Sequence, residues 1–535
     1  MLFRSQQIFL IDIELAYSIT NNRPNPPFGF GSMGYMSPEQ MAEVIPTIKE
    51  DIYGLSATML NLLAGLSPVH FNLENPAKLL ENLTFFIGDE EIGLLIANGL
   101  DPNPKYRPEL SKIQSGMLAF RQRVADINND SREEGRALPI ASDRLRQIIQ
   151  IGIDSLVKPP TAMWDGLWLT RTIEVGGVMD GYQRDYTLYP GLHNGIAGVL
   201  YFIAKAKLAG FNIDACLDSY SKGCLFLQDN SLSKLPNIPP GLYNGAAGFA
   251  MALVTGIRAG LLPDNTGNRA VIQQCLELEA IGLDLAIGIA GQGMATLCCS
   301  DYLPEVVVKK ILDRCFKIIL DQQQKDGAWL LPPLAQGQKS QKLTSFAQGV
   351  AGITWFLLNY QAQYPNPAVK TAARKALSWL SKTTFNLKKT KKIDSNGKGA
   401  QSSILEGAAG SLLVFVKGYE IFQDYTYKEW VEKLLSREPV FPLNNDFSQS
   451  IGLAGLGELY LEVARVFGPD PWKNRAIGLA NNFLHTVQEP TADSCYWLRD
   501  QMATALAGLM EGNSGILHFL LRCQAPDQIG YRLFS

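Results

Sequence analysis

The sequence predicts an all-α protein, an α/α toroid of seven helical hairpins preceded by a smaller, mostly helical lobe. Three observations predict it. A Gly-x-x-Gly tetrapeptide returns seven times, at Gly195, Gly245, Gly288, Gly349, Gly407, Gly452 and Gly512, at intervals of 50, 43, 61, 58, 45 and 60 residues, the self-similarity of a repeat architecture. Each beat opens an apolar run of helical period: Val199, Leu200, Ile203 and Ala206 after the first, Ile353, Phe356, Leu357 and Tyr360 after the fourth. A second amphipathic segment follows, with Ile213, Cys216, Leu217, Tyr220 and Cys224 in the first repeat and Val369, Ala372, Ala376, Leu377 and Leu380 in the fourth. Such hairpins cannot bury their apolar faces alone, and closing seven of them into a ring removes both exposed ends. An open solenoid, with the glycines used only for packing, is the alternative.

Composition narrows the function. With 535 residues, 46% hydrophobic and 19% charged, the chain has the make-up of a globular protein with room for two or more domains. A net charge of −3 argues against a basic nucleic-acid surface. The acidic excess lies in residues 1–120, with 7 Lys and Arg against 13 Asp and Glu. The longest apolar run, from Ile281 to Cys299, is broken by Asp284 and Gln292, too early for a membrane span. The N-terminus lacks the cleavage site of a signal peptide, so a cytoplasmic location is expected. All eight cysteines follow the first beat without Cys-x-x-Cys spacing and read as buried, reduced thiols.

In chain order, residues 1–120 form the first unit. They run from FLIDIELAYSI, containing Asp12, through GSMGYMSPEQ at 31–40 and DIYGLSATMLNLLAGLSP from Asp51 to GLDPNPKYRPEL at 99–110. In this order and spacing these stretches resemble the C-terminal lobe of a protein kinase. The resemblance sets Asp12 where the magnesium-binding Asp-Phe-Gly begins, Ser37-Pro38-Glu39 where Ala-Pro-Glu closes the activation loop, and Asp51 at the start of the central helix. It implies an ion pair between Glu39 and Arg107. Asp12-Ile13-Glu14 departs from Asp-Phe-Gly, and no Gly-rich loop, strand lysine or His-Arg-Asp loop precedes it. Those parts place ATP and the acceptor. The segment reads as a truncated kinase, inactive by itself, with ATP and magnesium relevant only if the missing half is supplied in trans.

Residues 121–160 read as a linker and connecting helix. ASDRLRQIIQIGIDSLV is amphipathic, opens on Ser142 or Asp143 as cap and stops before Pro159-Pro160. Trp164, Trp168, Tyr182 and Tyr186 then lead into the toroid, assigned to residues 161–535, as a lid or, more simply, as packing.

GLHNGIAGVLYF, GLYNGAAGFAMAL and SFAQGVAGITWFL, downstream of a kinase-like segment, resemble the cyclase repeats of lanthionine synthetases, in particular the class III kinase–cyclase fusions. The resemblance implies addition of peptide Cys thiols to dehydroalanine or dehydrobutyrine. Its expected partners are a ribosomal precursor peptide and a separate kinase or lyase protein, with no nucleic acid and no membrane span. Where the zinc-dependent cyclases carry metal ligands, this chain has Ala347, Leu405 and Glu406. A lone Glu cannot replace three ligands, so no metal or other cofactor is expected in the toroid. The catalytic His and acid that the resemblance implies are replaced by Ile287 and Gly241.

What remains is electrostatic. Seven helix N-termini on one rim would direct partial positive charge at a shared mouth. The residues preceding the beats line it: His193 and Asn194, Tyr243 and Asn244, Gln348, Glu406 and Glu511. His193, Tyr243 and Glu406 are the catalytic candidates, with His193 as a base for a Cys thiol. Asn194, Asn244, Gln348 and Glu511 are assigned to the cavity rim; for the Asn and Glu residues, helix capping is the competing reading. A ring without chemistry, holding a peptide or partner enzyme, is the alternative function. A glycosidase would need two facing carboxylates that nothing in the spacing sets.

Overall fold

The computed structural model describes residues 2–4, 7–9, 16–27, 29–126, 142–171, 186–279, 282–331, 339–386, 408–499, 505–526 and 528–530. The N-terminal lobe contains a two-stranded hairpin, β1 (Leu2–Arg4) and β2 (Gln7–Phe9), and helices α1 (Pro38–Met41), α2 (Ile48–Ala64), α3 (Pro76–Ile87), α4 (Glu90–Gly99) and α5 (Leu110–Asp126). Helix α6 (Ser142–Ser155) follows, then the antiparallel pair β3 (Leu169–Arg171) and β4 (Tyr186–Leu188). Helices then alternate in pairs: α7 (Ile196–Leu208) with α8 (Leu217–Asn230), α9 (Ala246–Arg258) with α10 (Thr266–Glu277), α11 (Ile289–Cys298) with α12 (Glu305–Gln322). The alternation continues with α13 (Val350–Gln363) and α14 (Pro367–Asn386), α15 (Ala408–Phe422) and α16 (Tyr425–Leu435), α17 (Leu453–Phe467) and α18 (Trp472–Thr486). A last hairpin, β5 (Gln488–Thr491) and β6 (Ser494–Tyr496), precedes α19 (Asn513–Gln524).

The glycine-led helices α7, α9, α11, α13, α15, α17 and α19 form the inner wall, each packed on the next, and α19 returns to α7. The toroid is closed. Sequence chemistry explains which helices lie inside: α7 buries every residue from Ile196 to Ala206, so it is apolar all round. An outer helix such as α12 buries one stripe, Val308, Ile311, Leu312, Cys315 and Ile319.

One hairpin differs from expectation. No described helix follows α19, and its outer face is covered by α6, the segment read as a connector. Ile148, Ile149 and Ile153 of α6 are fully buried. Gly152 lets the helices approach until an added Cβ would stand 2.6 Å from Leu517 Cδ2. The β5–β6 hairpin straps α6 in place: Cys495 N donates to Ser155 Oγ at 2.9 Å, and Arg144 pairs with Glu489 at 3.0 Å. The seventh hairpin is thus assembled from two distant parts of the chain, because the exposed apolar side of α19 needs a partner and α6 carries the complementary stripe.

In the lobe, Glu39 and Arg107 meet in the expected pair: Arg107 Nη2 donates to Glu39 Oε2 at 2.9 Å and Nη1 to Oε1. Arg107 is 2% exposed, and its guanidinium, opposing the desolvation of the carboxyl, holds the Glu39 pKa below its usual value. Asp51 lies exposed in the first turn of α2. Asp12 lies outside the described residues. Trp168 is buried, its indole donating to Leu156 O at 2.8 Å, whereas Trp164 is 95% exposed; Tyr182 is outside the described residues.

Candidate functional site at the mouth of the ring

Six inner helices, α7, α9, α11, α13, α17 and α19, begin at the first glycine of their tetrapeptides, which enters in extended conformation, and no side chain caps them. Asn194, Asn244, Gln348 and Glu511 are therefore not N-caps. The caps are replaced by backbone: Ile196 N donates to Tyr189 O at 2.8 Å, Ala246 N to Pro239 O at 2.8 Å, Ile289 N to Gly282 O at 2.9 Å, Val350 N to Leu343 O at 2.8 Å, Leu453 N to Asp446 O at 3.0 Å and Asn513 N to Leu506 O at 2.7 Å. Each loop curls over its own helix start and satisfies a donor that would otherwise be orphaned. The expected array of open helix N-termini is corrected in this respect: the dipoles converge, but the first N–H groups are occupied.

The curl explains both glycines of the motif. A Cβ on Gly195 would strike the Tyr189 carbonyl, and one on Gly198 the Leu192 carbonyl. The requirement is close approach rather than unusual φ, since Gly195 has φ −111°.

Neighbouring loops are stitched to one another through the residue two places before each beat. Met510 N donates to His193 O at 2.7 Å, His193 N to Tyr243 O at 3.0 Å, Tyr243 N to Ala286 O at 3.1 Å, Ala286 N to Ala347 O at 2.9 Å and Ser450 N to Met510 O at 2.9 Å. Among the described residues an arc of backbone bonds runs round the mouth from Ser450 to Ala347; Leu405 lies outside them. Four places before the beats, Asp284, Ser345 and Ser448 accept from the N–H groups of Ile287, Gln348 and Ile451 at 2.8, 3.1 and 3.3 Å. Asp284 is 4% exposed, and burial raises its pKa although backbone N–H groups oppose the shift. These side chains hold the loops in shape.

The structure brings part of the predicted site together. The His193 ring, half-buried, stands edge-on to Tyr243 with centroids 5.9 Å apart at 84°. Tyr243 is 1% exposed. Asn194 abuts the seventh loop, where a Cβ on Gly508 would lie 2.9 Å from its Cα. Beside it, Glu511 accepts from Arg499 Nη1 at 2.7 Å, and Arg499 Nε lies 3.4 Å from Asp446 Oδ2. Repeats six, seven, one and two therefore share one rim sector holding Asp446, Arg499, Glu511, His193, Asn194 and Tyr243. Asn244 and Gln348 are half-buried further round. Glu406 and Leu405 lie outside the described residues.

Inside the ring the sixth and seventh repeats are polar. Gln449 Nε2 donates to Glu458 Oε1 at 3.1 Å and to Gly515 O at 2.7 Å. His518 Nδ1 lies 2.8 Å from Glu458 Oε1, and Arg522 bridges Glu458 and Glu462, the latter at 2.6 Å. His518 is completely buried, and burial lowers its pKa against the attraction of Glu458. Among the described residues, no three His, Cys, Asp or Glu side chains cluster closely enough to hold a metal ion. The position of the first implied zinc ligand, Ala347, carries no donor atom, so the residues present do not fit that group.

A model of the "Lanthionine synthetase C-like protein" family matches residues 184–531. The chain belongs to that family. Among solved structures it is similar to one titled "Nisin cyclase", at 15% identity and a TM-score of 0.47, covering 64% of this chain and 90% of that one. It is also similar to a "sugar epimerase from ruminal bacterium", at 11% identity and a TM-score of 0.33, covering 64% of this chain and 98% of that one. No curated protein matches. For this lanthionine synthetase C-like chain the sequence reading missed Arg499 and Asp446, which lie 13 and 6 residues ahead of their beats in stretches without helical period. Glu458 and Glu462 carried a usable signal: two carboxylates in the middle of a glycine-led helix whose one other charge is Arg465 near its end.

Proposed function

We propose that this protein is a peptide-modifying cyclase of the class III type, closing thioether rings without zinc on a precursor peptide dehydrated by a separate kinase and lyase. The observation that carries the reading is the closed ring of the lanthionine synthetase C-like repeats, with a base, an arginine and the amide of Asn194 gathered on one sector of its rim. In the reaction the peptide Cys thiol loses its proton, and the sulfur bonds the β-carbon of the dehydroamino acid. The alkene pair shifts to give an amide enolate, and a proton delivered to the α-carbon completes the thioether. His193, oriented by the edge of Tyr243, takes the thiol proton and returns it to the α-carbon. Arg499, held between Glu511 and Asp446, offers positive charge to the enolate oxygen. Asn194 and Asn244 hold the peptide backbone, and Glu406, directly before the fifth beat in the sequence, is a further candidate.

The eight cysteines are free, which fits a reducing, cytoplasmic setting, and no described helix is long and apolar enough to cross a membrane. The kinase-like lobe carries Asp12-Ile13-Glu14 in place of Asp-Phe-Gly, and this reading assigns it no phosphoryl transfer. A second reading, a ring that binds peptide without chemistry, draws on Ala347 at the first metal-ligand position. Mixing the chain with a dehydrated, Cys-containing peptide and alkylating free thiols before mass spectrometry separates the two. Ring closure protects the peptide Cys from alkylation; binding alone leaves every peptide Cys modified and refutes the cyclase.

A further inference from the structure

The loop that leads into the sixth beat is gripped from outside the ring. Phe447 is sandwiched between His70 of the N-terminal lobe, stacked at 4.2 Å and 24°, and Phe483 of α18, edge-on at 5.3 Å. Ser67 N donates to Asn445 Oδ1 at 2.7 Å, and Gly65, at φ +75°, leaves space that Leu443 fills. A second stack pairs Phe85 of α3 with His485 of α18 at 3.9 Å and 14°, while His485 Nδ1 lies 3.1 Å from Asn82 Oδ1. From Phe447 the contacts reach the rim in two steps: Phe447 N donates to Arg499 O at 2.8 Å, and Asp446 and Glu511 hold the Arg499 guanidinium.

We propose that the N-terminal lobe is a clamp on the mouth of the ring, in which His70 and His485 are positioning residues that set the 441–450 loop and, through Arg499, the rim residue Glu511, and that acid opens the clamp. The lobe thereby has a task that needs no phosphoryl transfer. Closed, the two rings are held out of water where a charged imidazolium is disfavoured, so the stacks carry neutral imidazoles. His70 is 1% exposed and neither ring nitrogen has a hydrogen-bond partner, although the Asn445 backbone lies close enough to favour the protonated ring slightly. Asp446, the nearest acidic residue along the loop, turns to Arg499. His485 is faced by Glu81 and Lys78 of α3 and by Arg144 of α6, the last already tied to Glu489. Burial depresses both pKa values from 6.5 to about 4. Released rings would titrate near their ordinary value, so at pH 5 each histidine favours the open state about thirty-fold relative to pH 8.

Hydrogen exchange of the full-length protein tests this without reference to catalysis, once rates are corrected for the intrinsic effect of pH. Peptides covering 441–451 and 505–512 are expected to be protected at pH 7.5 and to lose protection by about thirty-fold or more at pH 5, while 350–363 across the ring stays protected. His70→Ala should expose the loop at both pH values. His70→Phe, which keeps the stack and cannot take a proton, should retain protection at pH 7.5 and lose about thirty-fold less of it at pH 5. Unchanged exchange of 441–451 in His70→Ala, or acid exposure undiminished in His70→Phe, overturns the clamp. The peptide-binding role of the rim rests on the cyclase reading. If that reading holds, His70→Ala lowers kcat for ring closure by displacing Arg499, and His70→Phe restores it at pH 7.5. A wild-type chain that closes no rings defeats the cyclase alone.

Discussion

At the residue scale, chemistry at the mouth rests on few side chains. His193→Asn should lower ring closure by about 100-fold or more, the range for losing a general base, with helicity and peptide affinity kept; an unchanged rate by mass spectrometry would remove His193 from the mechanism. The chain's own thiols should not interfere. Burial pushes Cys216, Cys224, Cys275, Cys298, Cys315 and Cys495 up to about 12 and raises Cys299 and Cys523 as well. Thiolate is the reactive form, so iodoacetamide at neutral pH should label the native chain far more slowly than the denatured chain in a mass-shift assay. The rim positions of His193 and Tyr243 were legible because each stands two residues before a glycine beat. Arg499 was not, because only folding carries it from a stretch without period to the side of Glu511.

At the scale of elements, the glycine pairs and the buried ion network do different work. A methyl on Gly198 has no room between its helix and the Leu192 carbonyl. Gly198→Ala should therefore destabilise the ring by about 2 kcal/mol or more, read as a lowered midpoint in denaturant, whereas Gly210→Ala, where nothing lies within 4 Å, meets only the strain of φ +79°. Arg522 neutralises two carboxylates with almost no solvent to help. Arg522→Ala leaves Glu458 buried without its cation, while Glu462 keeps Arg465 at 2.9 Å, and should cost about 3–5 kcal/mol; a loss below about 1 kcal/mol would show that water reaches Glu458. The helices themselves were readable from apolar period, as α14 illustrates: Val369, Ala372, Ala376, Leu377 and Leu380, picked from spacing, are all buried. Their caps were not readable. Asn194 and Asn244 are good capping residues by type, yet the loop backbone takes the first donors, since a carbonyl is already curled over each helix start.

For the whole molecule, a single hydrophobic core runs from the lobe into the ring, so lobe and ring should lose stability together in acid. The sign follows from burial. His70 and His485 have folded-state pKa values depressed from 6.5 to about 4, so the unfolded chain binds the extra protons. Their contribution is complete above about pH 6.5 and is lost as pH falls toward 4. Denaturant midpoints recorded between pH 8 and pH 4.5 should fall mainly below pH 6.5, and the double variant His70→Phe/His485→Phe should flatten that fall. An equal slope in the variant would place the acid sensitivity elsewhere.

The sequence by itself determined the repeat, the direction of each hairpin and the apolar helices that form the inner wall, because glycine spacing and apolar period are local properties that packing cannot reverse without exposing that surface. Only the tertiary structure decided how the circle closes and what stands on its rim. The stripe of α6 fits α19 across more than 350 residues of chain, and the loops meet through backbone groups that every residue carries alike. A backbone bond has no letter in the sequence, so a mouth stitched by such bonds is visible only once the ring is folded.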